Sequence, residues 1–265
     1  MSLHVILQTL ASLGSGALVG FILGLIGGGG SILATPLLLY VVGIAEPHVA
    51  IGTGALAVSA NAYSNFIAHA RKRNVCWRCA VLFAVVGTLG ALAGSSLGKS
   101  LNGQLLLFLF GLVMIVVGLA MLRPRRERGG DADVTTLRNC LRTAAVALVA
   151  GGASGFFGIG GGFLIVPALM LATGMSMANA VGSSLLAVGT FGLATALNYA
   201  ASGLIDWKVA ALFIAGGIGG GLLGTRLSLQ LGRQRDVLAR IFAGTVFMVA
   251  LYILYRSGAS LLAGA

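Results

Sequence analysis

Hydrophobic residues run through the chain in long continuous stretches that are separated by short polar segments. Most stretches are about 20 residues long, the length at which an α-helix crosses the hydrocarbon core of a bilayer. Membrane β-strands would instead alternate apolar and polar residues over about 10 positions, and that pattern is absent. The chain is therefore predicted to be an all-α polytopic membrane protein. Its ten predicted helices cover residues 4–26, 31–43, 49–69, 77–97, 104–122, 140–157, 162–173, 179–201, 208–228 and 237–255.

The second and seventh predicted helices, residues 31–43 and 162–173, are shorter than the others. A helix of about 12 residues is roughly 18 Å long, whereas a hydrocarbon core is about 30 Å thick. Each short helix follows a run of glycines and carries a proline, Pro36 or Pro167, near its start. We therefore expect two short or broken helices whose flanking loops reach into the membrane.

A polar segment divides the chain into two similar halves. Residues 123–139 contain a proline, adjacent glycines and mixed charges, which is typical of a solvated linker. We expect a first transmembrane repeat over residues 1–122 and a second over residues 140–265, because glycines, prolines and tryptophans recur together at one spacing. The matching pairs are Gly24 and Gly155, Gly27 and Gly158, Gly29 and Gly160, Gly30 and Gly161, Pro36 and Pro167, Gly43 and Gly174, Gly52-Thr53 and Gly182-Ser183, and Trp77 and Trp207.

Each half holds five predicted helices, so the two copies are expected to cross the membrane in opposite directions. Loop charge agrees: residues 71–78 carry four basic side chains, whereas the matching residues 202–208 carry one acid and one base. Lys and Arg concentrate in cytoplasmic loops. Ten crossings with both termini outside place 14 basic residues in the cytoplasm and 3 outside, while eight crossings give 12 and 5. We therefore expect ten crossings of the cell (inner) membrane.

Composition supports this class and excludes others. Hydrophobic residues make up 58% of the chain and charged residues 9%, against about 25% charged in soluble domains. The net charge of +11 resides in loop clusters, so nucleic-acid binding is not expected. No ATP-binding motif, metal-ligand cluster or nucleophile–base pair stands out, and we predict neither an enzyme nor a cofactor. The Cys76-x-x-Cys79 spacing lacks a βαβ context and is interpreted as two ordinary cysteines.

Two glycine-rich segments, Gly24-Leu-Ile-Gly-Gly-Gly-Gly-Ser31 and Gly155-Phe-Phe-Gly-Ile-Gly-Gly-Gly162, are the main candidates for a binding site. Each begins a helix, whose first N–H groups lack intrahelical partners and favour anions. Inverted repeats would bring two such ends together near the membrane midplane. The candidate residues are Gly27, Gly28, Gly29, Gly30 and Ser31 in the first segment and Gly158, Gly160, Gly161 and Gly162 in the second.

Close helix packing is the alternative role for glycines in membrane helices. It is sufficient for a second group, namely Gly87, Gly90, Gly94, Gly217, Gly220 and Gly224. Packing explains the run from Gly27 to Gly30 less well, because consecutive glycines disrupt a helix. We therefore favour substrate contact for that run.

Five polar residues complete the candidate substrate site. The hydroxyls near the starts of the third and eighth helices could line a substrate path, or they could cap and bridge helices. Asparagine is costly in hydrocarbon and should face protein or water, so path lining and bridging both stay open. No acidic or basic residue lies at the centre of a span, so a proton relay has no obvious members. The five residues are Thr53, Asn61, Ser183, Ser184 and Asn198.

The duplicated G-x-x-G-x-G-G pattern with its following proline resembles the sulfite exporter TauE/SafE family. The Gly-Thr/Ser elements at residues 52–53 and 182–184 are similar to that family too, as is Gly203-Leu-Ile-Asp-Trp207. The first half departs at Asn74-Val-Cys-Trp77, where the equivalent of Asp206 is missing. The resemblance implies a multi-pass plasma-membrane transporter of sulfur-containing anions such as sulfite or sulfonates.

These observations combine into one functional hypothesis. We expect a secondary transporter in which a small anion binds between the two glycine segments and the two repeats alternate in access. The expected partners are the anion and the lipid bilayer. The sequence does not decide whether the protein forms a homo-oligomer. A passive anion channel on the same scaffold and a membrane subunit that transports nothing are the alternatives.

Overall fold

The computed structural model describes residues 3–72, 74–122, 137–158, 162–175, 177–230, 244 and 247–256. Within these ranges every regular element is helical, which confirms the predicted all-α class. Most of the linker predicted at residues 123–139 lies outside the described part, and its last three residues belong to a helix. The helices are α1 (Leu3–Ile26), α2 (Ala34–Tyr40), α3 (Pro47–Arg71), α4 (Trp77–Ser100), α5 (Gly103–Leu122), α6 (Leu137–Phe157), α7 (Gly162–Thr173), α8 (Met177–Ala200), α9 (Trp207–Gln230) and α10 (Phe247–Arg256).

The second predicted helix is broken, and its two parts have different geometry. A 3-10 helix over Gly28–Leu33 precedes the seven-residue α2. Gly27 at the break has a φ of 80°, and Gly43 beyond α2 has a φ of 83°. Their repeat partners Gly158 and Gly174 have φ values of 64° and 71°. Residues with side chains rarely adopt this left-handed region. The backbone conformation therefore explains why glycine recurs at these four positions.

The outer surface of the bundle is apolar. Five described helices, α1, α4, α6, α8 and α9, are long and apolar enough to cross a membrane. Large hydrophobic side chains on them point outward: Val85, Leu197 and Leu223 are each at least 60% exposed. In lipid such side chains are solvated and the helices satisfy their own backbone groups. The structure is therefore that of a polytopic membrane protein.

Glycine contacts show that α1 and α9 run parallel with their backbones touching. The register follows from Gly16 against Phe213, Gly20 against Gly217, and Gly24 against Gly221. The helices α4 and α6 form a second parallel pair, with Gly87 against Gly151 and Ala91 against Gly155. All six glycines expected to serve packing have atoms of another helix where a Cβ would lie, which confirms the packing interpretation for that group.

The central helices α3 and α8, which correspond in the two halves, run antiparallel. The Ser59 hydroxyl donates to the Gly189 carbonyl over 2.7 Å, and Gly52 packs against Tyr199. Helix α3 also lies parallel to α9, because Asn61 contacts Gly217 and, further along both helices, Asn65 contacts Gly221. Since α1 and α3 are both parallel to α9, the chain returns between them through the 3-10 helix and α2.

Candidate functional site

The two glycine segments meet in the interior of the bundle. Gly28 opens the 3-10 helix, Gly162 opens α7, and a Cβ on either residue would collide with the backbone of the other. On either side of this contact, Gly27 packs against Val181 of α8 and Gly158 packs against Ile51 of α3. The starts of the two short helical segments therefore lie next to each other.

The first glycine segment is enclosed by protein on all sides. Every residue of Gly28–Leu33 is buried. The Ser31 hydroxyl donates to the Gly28 carbonyl over 2.9 Å, and a Cβ on Gly30 would lie 2.5 Å from the Leu23 nitrogen of α1. The first N–H groups of a helix have no acceptor within the helix. The segment therefore lies in a water-poor environment, where the electrostatic effect of such donors is large.

Only the ends of the second glycine segment can be compared with the first. Gly158 and Gly162 are described and buried, whereas Gly160 and Gly161 lie outside the described residues. At Gly158 a Cβ would collide with the Ile51 side chain, just as a Cβ on Gly27 would lie 2.9 Å from Val181. Gly27 and Gly158 therefore have equivalent surroundings, each against a β-branched side chain of the opposite half.

The hydroxyls of Thr53 and Ser183 hold loops from the opposite half of the chain. Thr53 Oγ1 accepts a hydrogen bond from the Asp206 N–H over 2.9 Å, and Ser183 Oγ accepts one from the Cys76 N–H over 3.0 Å. Both side chains are fully buried. Ser184 instead donates to the Val181 carbonyl of its own helix over 2.8 Å. The observed bonds favour the bridging role for Thr53 and Ser183.

Replacing Thr53 by alanine is expected to lower the free energy of unfolding by about 1–2 kcal/mol, since the loop N–H of Asp206 loses its acceptor. Thr53→Ser keeps an acceptor oxygen and should stay closer to wild type. Thr88→Ala is the matched control, because the bond that Thr88 makes among the described residues is to Ala84 of its own helix. It should cost less than about 0.5 kcal/mol. Thermal unfolding in detergent measures all three; equal losses for Thr53→Ala and Thr88→Ala would contradict the bridging role.

The two candidate asparagines have contrasting surroundings. Asn61 is fully buried against Gly217, and its side-chain oxygen and nitrogen have no hydrogen-bond partner among the described residues. Asn198 lies near the end of α8 and donates to Ser95 Oγ over 2.6 Å, while its oxygen accepts from Lys99. The amide of Asn198 therefore joins helices, whereas that of Asn61 keeps its bonding capacity.

Three further observations concern residues outside the candidate substrate site. Asp206 accepts the Val209 N–H over 3.0 Å at the start of α9, which is a helix-capping role. Cys76 and Cys79 are free thiols at the start of α4 with sulfur atoms 3.0 Å apart. Lys99, which follows the helix predicted over residues 77–97, belongs to the last turn of α4. No motif singled out Lys99, because its three hydrogen-bond acceptors lie about 100 positions away in the sequence.

An apolar helical bundle with two buried glycine breaks in contact defines a polytopic membrane protein with an internal candidate site. Similarity to known proteins agrees with this class. The chain belongs to the sulfite exporter TauE/SafE family, which it matches over residues 12–253.

Relatives in bacteria cover nearly the whole chain. It is 61% identical to a "Probable membrane transporter protein" of Xylella fastidiosa (strain 9a5c), over 96% of this chain and 98% of the relative. It is 26% identical to the "Probable membrane transporter protein YunE" of Bacillus subtilis (strain 168), over 91% of this chain and 95% of the relative. No solved structure matches the chain.

Proposed function

We propose that the protein is a secondary transporter that moves small sulfur-containing anions, such as sulfite or sulfonates, across the cell membrane by alternating access. The observation that carries the proposal is the buried contact between Gly28 and Gly162, where two short helical segments begin side by side. Membership of a family described as sulfite exporters, and the relatives named as probable membrane transporters, support the substrate class and the activity.

The anion would bind to backbone N–H groups of the two glycine segments. An oxyanion of sulfur accepts several hydrogen bonds at once, and helix starts supply donors together with the positive end of the helix dipole. Broken helices supply such groups near the midplane of many transporters. Asn61 is a candidate additional donor, because its buried amide has no partner in the described part of the chain. Residues 27–31 and 158–162 form the proposed backbone site.

Alternating access requires two units that can move against each other, and the helix directions support such units. The corresponding helices α3 and α8 run antiparallel. In the repeat, α1 corresponds to α6 and α9 corresponds to α4. The parallel pair α1–α9 therefore corresponds to the other parallel pair, α6–α4. These relations fit two five-helix repeats of opposite orientation, over residues 1–122 and 140–265, packed around a shared site. A membrane subunit that transports nothing, which is one of the alternative hypotheses, would not need such a site.

Opposite orientation predicts that equivalent positions in the two halves face opposite sides of the membrane. Arg78 and Lys208 are such a pair, each exposed and one residue beyond the tryptophan that begins α4 or α9. In a background with all three native cysteines replaced by serine, Arg78→Cys should react with a membrane-impermeant maleimide only from the cytoplasmic side. Lys208→Cys should react only from the outside. Labelling of both positions from the same side would contradict inverted repeats.

The transport proposal is tested with purified protein in liposomes. Uptake of radiolabelled sulfite should exceed that of empty liposomes and saturate with concentration, and an aliphatic sulfonate should compete with it. Both anions should also raise the melting temperature of the protein in detergent, because a ligand that binds only the folded state stabilises it. Uptake that rises linearly without saturation would favour the channel. Absence of both uptake and stabilisation would contradict the substrate class.

A further inference from the structure

A lysine at one end of the bundle has three neutral hydrogen-bond acceptors. Lys99 Nζ donates to the Asn198 carbonyl over 2.9 Å, to Asn198 Oδ1 over 2.7 Å and to Ser202 Oγ over 2.9 Å. It also lies 5.8 Å from the centre of the Tyr199 ring. Hydrogen bonds to neutral oxygens hold the ammonium group in place but leave its charge uncompensated. The last turn of α4 therefore presents a fixed positive charge.

Beside Lys99 lies a buried hydroxyl that keeps its capacity to donate a hydrogen bond. Asn198 Nδ2 already donates to Ser95 and Ser96. The hydroxyl of Tyr199 is buried and has no partner among the described residues. The His48 ring lies 6.3 Å from the Tyr199 ring, and its Nε2 N–H donates to the Leu101 carbonyl over 3.1 Å. We call Lys99, Asn198, Tyr199, Ser202 and His48 the Lys99 cluster.

Direct contacts connect the Lys99 cluster to the second glycine segment. Tyr199 packs against Gly52 of α3, and Ile51, the preceding residue, packs against Gly158. Because Ile51 and Gly52 are adjacent residues of α3, a single residue step along that helix connects the cluster with the proposed anion site. Because α4 and α8 both end in the cluster and α3 begins there, it lies between that site and one end of the bundle.

The equivalent place in the other half lacks this chemistry. The repeat relation pairs Lys99 with Leu229 and Asn198 with Ala68. The lysine and the amide that fixes it are therefore both missing from the opposite end of the bundle. A lysine held in place by an asparagine amide in one half only is suited to a task that differs between the two sides of the membrane.

We propose that the Lys99 cluster is a second anion-binding site, an entry site that recruits the anionic substrate at one mouth of the transporter. The inference rests on the proposed function, and the orientation expected from loop charge would put this mouth outside the cell. A fixed cation beside a low-dielectric wall raises the local anion concentration, and steering of this kind increases capture by about tenfold or more. The anion would pass from Lys99 along Tyr199 towards Gly158.

Lys99→Gln tests the proposal, because it removes the charge and keeps a hydrogen-bond donor. In liposomes with protein of known orientation, KM for sulfite should rise about tenfold when the anion is supplied at the Lys99 end, with a nearly unchanged maximal rate. KM measured from the other end should stay within about twofold. Lys99→Arg keeps the charge and should restore most of the affinity. The wild-type KM should also rise with ionic strength, and that dependence should weaken in Lys99→Gln.

Lys208→Gln is the matched control. Lys208 is exposed near the start of α9, at the same end of the bundle, so its replacement makes the same change in net charge and should leave KM unaltered. Equal KM changes for Lys99→Gln and Lys208→Gln would overturn the proposal, and so would a Lys99→Gln variant that loses thermal stability but keeps its KM. Absence of wild-type flux would instead contradict the proposed function itself, so the two failures are distinguishable.

Discussion

Gly20→Leu is expected to abolish the folded protein. A Cβ on Gly20 would collide with the Gly217 carbonyl of α9, and a leucine side chain has no room between two touching backbones. Overpacking of a core costs about 1–3 kcal/mol, and here rigid backbone rather than an adaptable side chain opposes it. We expect a loss of about 3 kcal/mol or more, seen as loss of the monodisperse peak in size-exclusion chromatography.

Gly14→Leu is the matched control for this prediction. Gly14 lies on the same helix as Gly20, but it is exposed and has no atom within 4 Å of a built Cβ. Its replacement adds the same side chain facing lipid, so the elution profile and melting temperature should stay close to wild type. A Gly20→Leu variant that elutes and melts like Gly14→Leu would show that α1 and α9 are not packed as described.

Gly28→Ala is expected to reduce sulfite flux by at least about tenfold while the protein still inserts into the membrane. The added methyl group must displace the backbone of Gly162, and misplacing a binding group by about 1 Å is enough for large functional losses. Flux in liposomes and sulfite-dependent stabilisation in detergent should both fall. Gly14→Ala should retain both, because its methyl group meets open space.

Ser31→Ala keeps the prediction testable if Gly28→Ala does not fold. It removes the hydroxyl that donates to the Gly28 carbonyl and adds no atoms. The glycine segment should then lose part of its fixed geometry, with a severalfold higher KM for sulfite and an elution profile like wild type. Unchanged flux in a folded Gly28→Ala variant, or an unchanged KM in Ser31→Ala, would contradict a substrate role for this segment.

The helices could be predicted from the sequence because in lipid the apolar stretch itself is the structural signal. The repeat also predicted that the two glycine segments lie together, since inverted copies of one break occupy equivalent places in the two halves. The break at Gly27 was less predictable in detail. Its left-handed φ and the 3-10 helix that follows depend on packing against Val181, which is distant in the sequence.

The polar residues of the candidate site could be identified from the sequence, but their roles could not. Thr53 and Asn61 are both polar residues of one apolar helix, yet Thr53 holds the loop N–H of Asp206 while Asn61 lacks a described partner. Lys99 gave no signal, because one charge near a helix end has the same appearance as an ordinary loop charge. Its role can be inferred only from the fold, in which the end of α8 brings Asn198 and Ser202 within hydrogen-bond distance of it.

The central claim is that this protein carries a small sulfur-containing anion by alternating access, and counterflow tests it most directly. Liposomes containing wild-type protein are loaded with unlabelled sulfite and diluted into a trace of radiolabelled sulfite. A carrier exchanges the two pools, so labelled sulfite should accumulate transiently above its equilibrium level, and the Gly28→Ala variant should lose this overshoot. Labelled sulfite that only approaches equilibrium, at the same rate with or without internal sulfite, would contradict the account.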